Sequence, residues 1–172
     1  PWTGGDMQFG NMKLTKEAYP EKELVFTEGC VEDFDYERLH DWSLGERYGY
    51  SILNDLNNGM SAWLDWNILL DENGGPNHVG NFCFAPVHAD TRTGELIYTN
   101  SYYYIGHFSK FAQRDACRIA VSSSRYDLQA TGFMNPDGNI VVVLLNRSEK
   151  PIKFRLGISG EAAPMTSSPR SI

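Results

Sequence analysis

Apolar positions in the first 70 residues follow two alternating periods, and this alternation predicts an α/β arrangement. Residues 9–19 and 41–58 carry apolar side chains about every 3.6 residues, which is typical of helices packed on one face. Each helical pattern is followed by a short run rich in β-branched or aromatic residues, over 23–27 and 60–67. The order helix, strand, helix, strand predicts parallel strands joined by crossover helices.

The second helical segment has the clearest pattern of the two. We expect Asp41 or Ser43 to cap its N-terminus, and Asn57-Asn58-Gly59 to end it. Its apolar side chains predict that one face of the helix packs against a core. We expect the first of these side chains, that of Trp42, to lie in the core. The members of this face are Trp42, Leu44, Tyr48, Ile52 and Leu56.

Beyond Leu70 the pattern changes to short strands separated by turns. Residues 71–77 are dense in turn-forming types, and the aromatic stretch 101–111 predicts one more helix. Asn135-Pro136-Asp137-Gly138 lies between two β-rich runs and predicts a hairpin. Short strands separated by turns are typical of a β-sandwich. The predicted strands cover residues 96–99, 118–122, 128–134, 140–146 and 152–156.

The number of elements decides the architecture. Two βα units cannot close a TIM barrel, which needs about eight. We therefore predict the last βα units of a (β/α)8 barrel followed by an incomplete β-sandwich, with the chain truncated at both ends. The predicted domains are residues 1–112, the C-terminal part of the barrel, and residues 113–172, the sandwich.

Composition and charge narrow the classes of function. The formal net charge is −7 and the pI is about 5.0, which argues against nucleic acid as a partner. No run of 18 apolar residues is present, so we expect no stable membrane insertion. The three cysteines have no CxxC spacing, and His78 and His88 are ten residues apart, so we expect no disulfide scaffold, metal or cofactor. We interpret both histidines as loop or substrate-rim residues.

One acidic residue has the position of a catalytic group. Leu24-Val25-Phe26-Thr27 is a strand-like run that delivers Glu28 and then breaks at Gly29. TIM-barrel enzymes keep their chemistry at the C-terminal ends of the strands. Asp65, between Trp63 and Trp66, is a second candidate carboxylate, with a structural or sugar-binding role as the alternative that we favour. Strand alternation puts Asp65 on the face opposite Trp66.

Six motifs, in this order and spacing, make the chain resemble the C-terminal part of family 30 glycoside hydrolases, the glucosylceramidase-like retaining β-glycosidases. They extend over nearly the whole chain. The motifs are Thr27-Glu28-Gly29-Cys30, Trp63-Leu64-Asp65-Trp66-Asn67, Gly74-Gly75-Pro76-Asn77, 104–111 (YIGHFSKF), Asn135-Pro136-Asp137-Gly138 and 141–148 (VVVLLNRS).

The resemblance implies roles for individual residues. Glu28 would be the nucleophile at the end of barrel strand seven, and Trp66, on strand eight, would line the sugar pocket. Trp2 and Asn81 would contact substrate, as Asp65 would if it binds sugar. Retaining enzymes need a second carboxyl group roughly 5–5.5 Å from the nucleophile. In the family it lies in an Asn-Glu pair, which this sequence lacks, so we expect it in a missing N-terminal barrel portion.

The resemblance implies a carbohydrate or glycolipid substrate and leaves two hypotheses about function open. The first is part of a β-glucosidic hydrolase that forms a glycosyl-enzyme on Glu28, with no cofactor and with a secreted or periplasmic parent. Within it, we favour an endo-β-1,6-glucanase over a glucosylceramidase because no exposed apolar patch is evident in the sequence. The second is a noncatalytic carbohydrate-binding or structural β-sandwich fragment. We interpret Cys30 as a small buried side chain, and residues 32–37 as a solvated acidic loop.

Overall fold

The computed structural model describes residues 7–172, which form two compact units. The first unit ends at Gly106, and the second runs from His107 to Ile172. The division falls within the last of three α-helices, which are α1 (Phe9–Ala18), α2 (Trp42–Asn57) and α3 (Asn100–Ser109). All three lie where the sequence predicted helices. The domain boundary predicted after residue 112 stays a prediction.

A βαβ motif forms the centre of the first unit. Strands β1 (Leu24–Phe26) and β3 (Met60–Trp63) pair in parallel, and α2 is the crossover between them, as the alternating pattern predicted. The pairing brings Phe26 opposite Trp63 at the C-terminal ends of both strands. The predicted strand 60–67 is therefore four residues shorter, because the chain leaves the ladder after Trp63.

The buried face of α2 agrees with the predicted face except at its two ends, where Trp42 is exposed and Leu56 is half-buried. Leu44, Tyr48 and Ile52 are each less than 5% exposed. Trp42, predicted in the core, keeps 46% of its surface exposed because it is the first residue of the helix, and its ring meets Tyr104 edge to face at 6.0 Å. Asp41 does not cap the helix, since its carboxylate accepts a hydrogen bond from the Arg38 guanidinium.

Five further short strands complete the first unit, and the sequence predicted only the last of them. Two of them form an antiparallel pair. The other three form a mixed sheet, and the middle one of these three in chain order is the central strand. The pair is β2 (Val31–Glu32) and β5 (Cys83–Phe84), and the sheet is β4 (Leu69–Asp71), β6 (Val87–Asp90) and β7 (Glu95–Tyr98). Within residues 7–172, no helix is long and apolar enough to cross a bilayer.

Two antiparallel sheets build the second unit. Strands β8 (Cys117–Ile119), β9 (Leu128–Met134) and β10 (Ile140–Asn146) form the first sheet, and β9 and β10 are joined by the predicted hairpin turn. Strands β11 (Ile152–Ile158) and β12 (Glu161–Ser167) form the second. The sequence did not predict β12, since its side chains are mostly exposed and lack an apolar face.

Candidate functional site

Glu28 lies directly beyond the C-terminal end of β1, on a segment that hydrogen bonds hold against the residues after β3. The Gly29 N–H donates to the Leu64 carbonyl at 3.1 Å, and the Trp66 N–H donates to the Gly29 carbonyl at 2.8 Å. These bonds extend the contact between the two chain segments past the end of the regular strands. They fix Glu28 and Trp66 at the same edge of the β1–β3 pair, and both residues are exposed there.

Gly29 has no space for a side chain. A Cβ atom at this position would lie 2.8 Å from two ring atoms of Trp63, closer than real Cβ contacts come. The Trp63 ring cannot easily move, because it stacks on Phe26 with centroids 4.9 Å apart and donates its Nε1–H to Asp55 at 3.1 Å. The glycine after Glu28 is therefore required by packing.

A buried polar pair lies behind Trp66. The Tyr48 hydroxyl donates to Asp65 Oδ1 at 2.9 Å, and burial raises the pKa of Tyr48 well above its usual value, so the hydroxyl keeps its proton. Burial also raises the pKa of Asp65 to about 7, against the opposing effect of hydrogen bonds from the Tyr48 hydroxyl and the Trp66 backbone. Asp65 Oδ2 is buried and has no hydrogen-bond partner among residues 7–172.

The orientation of Asp65 bears on its predicted role. Its carboxyl group faces α2, where Tyr48 lies, while the Trp66 side chain keeps 42% of its surface exposed. This agrees with the alternation argument, which placed the two side chains on opposite faces. A carboxyl group bound to a tyrosine in the core orients the segment that carries Trp66.

Asn81 lies next to the acidic residues that follow Glu28. Its Nδ2 donates to Glu32 Oε1 at 3.0 Å, and its backbone N–H donates to Asn77 Oδ1 at 3.2 Å. The β2–β5 pairing brings this loop to the Glu28 segment, since Glu32 is opposite Cys83 in the ladder. The predicted acidic loop is thus partly ordered, because Glu32 bonds to Asn81 and Asp35 accepts from the Glu37 N–H.

The exposed surface beside Asn81 is more apolar than the sequence indicated. Val79 is 72% exposed and Phe82 is 44% exposed. Both belong to the loop that Asn77 orders through hydrogen bonds to the Val79 and Asn81 backbone. These are two single exposed apolar side chains, and the expectation that no apolar patch is present stays a prediction.

The structure brings most of the predicted site residues into one region. Glu28 and Trp66 share the strand-end edge, with Asp65 behind Trp66, and Asn81 is linked to it through Glu32 and β2. Trp2 lies outside the described residues. His88, expected in a loop or at the substrate rim, is instead fully buried in β6, where Nε2 accepts from the Ala85 N–H and Nδ1 lies 2.8 Å from the Asp71 carbonyl.

Two contributions to this region were missed from the sequence. Tyr48 was assigned to a packing face, although a buried tyrosine hydroxyl ordinarily needs a partner and could have indicated a nearby acceptor. The proximity of Cys30 and Cys83 was also missed, since their Sγ atoms are 3.5 Å apart across 53 positions of sequence. Among residues 7–172, no three histidine, cysteine or acidic side chains are grouped to hold a metal ion.

Comparison with known proteins shows the family to which the chain belongs. The model of the glycosyl hydrolase family 30 TIM-barrel domain matches residues 6–112, and that of the family 30 β-sandwich domain matches residues 115–172. The chain therefore belongs to glycoside hydrolase family 30. It corresponds to the C-terminal part of the family's TIM barrel together with its β-sandwich domain, as the motifs predicted.

Individual relatives agree with this membership. The chain is 37% identical over 146 residues to lysosomal acid glucosylceramidase of Mus musculus, a match that covers 83% of this chain and 28% of the mouse protein. It superimposes on SrfJ from Salmonella typhimurium with a TM-score of 0.92 and 32% identity. The endo-β1,6-glucanase BT3312 gives a TM-score of 0.85 and 27% identity. Each of these two matches covers 98% of this chain and 38% of the other.

Proposed function

We propose that this chain is part of a retaining β-glycosidase and that Glu28 is its nucleophile. The observation that carries the proposal is the position of Glu28, an exposed carboxylate at the C-terminal end of a parallel strand, held beside Trp66 by two backbone hydrogen bonds. In a barrel, this end of the strands is where catalytic groups lie. Trp66 offers an exposed aromatic face on which a sugar ring can stack.

The proposed reaction needs two carboxyl groups with different tasks. The Glu28 carboxylate attacks the anomeric carbon and the glycosidic C–O bond breaks, while an acid gives a proton to the leaving oxygen. Water, deprotonated by the same second group, then releases the sugar and restores Glu28.

Asp65 has the raised pKa that such an acid requires, but its position does not suit the task. Its Oδ1 is held by Tyr48 and its Oδ2 is buried. We therefore assign the acid to another segment of the parent protein, and we assign to Asp65 the task of orienting the sugar-binding segment.

The proposed substrate is a β-glucoside, and two classes of substrate are candidates. A β-1,6-glucan is the class acted on by the similar BT3312. The exposed Val79 and Phe82 beside Asn81 favour a glycolipid as the second candidate, since lipid chains need apolar contacts. We expect the parent to have a measurably higher kcat/KM for one of the two, and Val79→Ser with Phe82→Ser to lower it for the glycolipid alone.

The first experiment tests the nucleophile directly. The chain is incubated with a 2-deoxy-2-fluoro-β-glucoside that carries an activated leaving group, and then analysed by intact mass and peptide mapping. An activated leaving group needs little help from an acid, so attack by Glu28 does not require the second carboxyl group. We expect one adduct, on Glu28, absent in Glu28→Gln and retained in the matched variant Glu37→Gln.

The same experiment on a longer parent separates the alternatives. Labelling of Glu28 in the parent but not in the 172-residue chain would mean that the site needs the remaining barrel strands. Absence of an adduct in both would exclude the glycosidase proposal. Sugar binding that persists in Glu28→Gln without any labelling would then favour a noncatalytic carbohydrate-binding fragment.

A further inference from the structure

We propose that Cys30 and Cys83 are a dithiol site that oxidises to an intramolecular disulfide beside Glu28. Their Sγ atoms are 3.5 Å apart, and neither is in a disulfide in this structure. A disulfide bond is about 2.05 Å long, so the sulfur atoms need to approach by only about 1.5 Å. Cys30 is two residues from Glu28, so the pair lies at the proposed site.

The backbone holds the two cysteines in this arrangement. Val31 is opposite Phe84 and Glu32 is opposite Cys83 in the antiparallel β2–β5 ladder. Cys30 extends β2 by one residue, so its side chain lies on the same face as that of Cys83, at a diagonal position. Cys83 belongs to a buried cluster with Leu70 and Ala85, and Cys30 packs against that cluster.

The surroundings of the pair decide how fast it reacts. Burial raises the pKa of Cys30 to about 12 and also raises the pKa of Cys83, with the negative charges of Glu32 and Asp65 acting in the same direction. Thiolates are the attacking species, so attack at neutral pH is slow. Cys83 is only 2% exposed, whereas Cys30 is partly exposed. Cys30 is therefore the thiol that meets an oxidant first.

Glutathione disulfide is the oxidant we consider, and the exchange balances in two steps. The Cys30 thiolate attacks one sulfur of glutathione disulfide, which forms a mixed disulfide and releases one glutathione thiolate. Cys83 loses its proton and attacks the Cys30 sulfur, which releases the second glutathione. Two protein thiols are oxidised, and one glutathione disulfide is reduced to two thiols. The second step is intramolecular, so the short distance between the sulfur atoms favours it over attack by a thiol from solution, although burial raises the pKa of Cys83.

The experiment measures the covalent product. The chain carrying Cys117→Ser, which removes the exposed third cysteine, is held with excess glutathione disulfide at about pH 8.5, where the thiolate fraction is larger than at neutral pH although still small. We expect the intact mass to fall by two hydrogen atoms and a non-reducing peptide map to contain the Cys30–Cys83 cross-link. Reduction with dithiothreitol should restore both thiols.

A matched variant without the second thiol should give the mixed disulfide instead of the cross-link. With Cys83→Val and Cys117→Ser, the Cys30 mixed disulfide has no resolving thiol, so we expect the mass of one added glutathione and no cross-link. A stable glutathione adduct on Cys30 in the Cys83-containing protein would overturn the proposal. So would two thiols that remain reduced when the folded protein is held with oxidant, while the urea-unfolded protein forms the cross-link.

A second measurement connects the pair to the site, and this step rests on the proposed function. A disulfide would pull the segment after Glu28 toward β5 and the Asn81 loop, whose carbonyl lies 3.5 Å from Cys83 Sγ. Displacements of about 1 Å can cost up to roughly a hundredfold in rate, so we expect labelling of Glu28 to be at least about tenfold slower in the oxidised protein. The cross-link is detected without any labelling, so the two proposals can fail independently.

Discussion

The strand-end region around Glu28 and the hairpins of the second unit are stabilised in different ways. Around Glu28 the strands are three or four residues long, and hydrogen bonds between buried and half-buried side chains connect them to α2: Tyr48 to Asp65, and Trp63 to Asp55. In the second unit, two hairpins of seven-residue strands pair over their full length through backbone hydrogen bonds. Side-chain hydrogen bonds therefore take the place of a long backbone ladder around Glu28, and the proposed site lies in this region.

Removal of Asp55 should produce the largest loss of stability. Its Oδ2 accepts from both the Trp63 indole and the Ser51 hydroxyl, and the residue is fully buried. Asp55→Ala leaves the buried Ser51 hydroxyl and the half-buried Trp63 indole without an acceptor and creates a cavity, so we expect the free energy of unfolding to fall by about 3–5 kcal/mol. Urea unfolding followed by tryptophan fluorescence measures this, because all four tryptophans lie in the first 66 residues.

The control for this prediction is a carboxylate with an equally short contact on the surface. Asp41 accepts from Arg38 at 2.9 Å, but both side chains are exposed by more than 40%. We expect Asp41→Ala to change the free energy of unfolding by less than about 1 kcal/mol. Equal losses for Asp41→Ala and Asp55→Ala would contradict the importance given to the buried contacts.

The pH dependence of stability tests Asp65. Burial raises the pKa of Asp65 from its ordinary value to about 7, so between about pH 4 and pH 7 the folded state binds more protons than the unfolded state. Stability contributed by the protonated form is present below pH 4 and is lost as the pH rises through 7. We expect this loss to be about 2–4 kcal/mol.

Asp65→Asn isolates this contribution. The amide keeps an acceptor for the Tyr48 hydroxyl but does not titrate, so we expect a flatter dependence of the urea midpoint on pH between 4 and 7. Asp55 also has a raised pKa through burial and will leave a smaller slope of the same sign. An unchanged slope in Asp65→Asn would show that Asp65 ionises normally in the folded protein.

In the second unit, the polar side chain of Asn146 contributes to stability through hydrogen bonds, as several polar side chains do around Glu28. Asn146 is fully buried at the end of β10, where its Nδ2 donates to the carbonyls of Lys150 and Ser168 and its Oδ1 accepts from the Ser148 N–H. We expect Asn146→Ala to lower the free energy of unfolding by about 2 kcal/mol. Hydrogen exchange of the β9–β12 amides should report the loss.

The same comparison explains what the sequence could predict. The β9–β10 hairpin was predicted at its observed bounds because Asn135-Pro136-Asp137-Gly138 specifies the turn locally. Strands β2 and β5 were not predicted, since two residues each carry too little pattern and the two strands are distant in sequence. Glu28 could be proposed from the sequence because its position relative to a strand is local, whereas the contact of Cys30 with Cys83 depends on the folded chain.

The last prediction concerns one added methyl group, and it tests whether the packing behind Glu28 is as rigid as its contacts indicate. The added Cβ of Gly29→Ala would lie 2.8 Å from the Trp63 ring, which Phe26 and Asp55 hold in place, so we expect a loss of about 1–3 kcal/mol. Gly10→Ala, in α1 with open space around it, should instead raise stability by up to about 1 kcal/mol. Tryptophan fluorescence in urea distinguishes the two variants. A neutral Gly29→Ala would mean that the Trp63 ring can shift, and the edge holding Glu28 would then be adjustable instead of fixed.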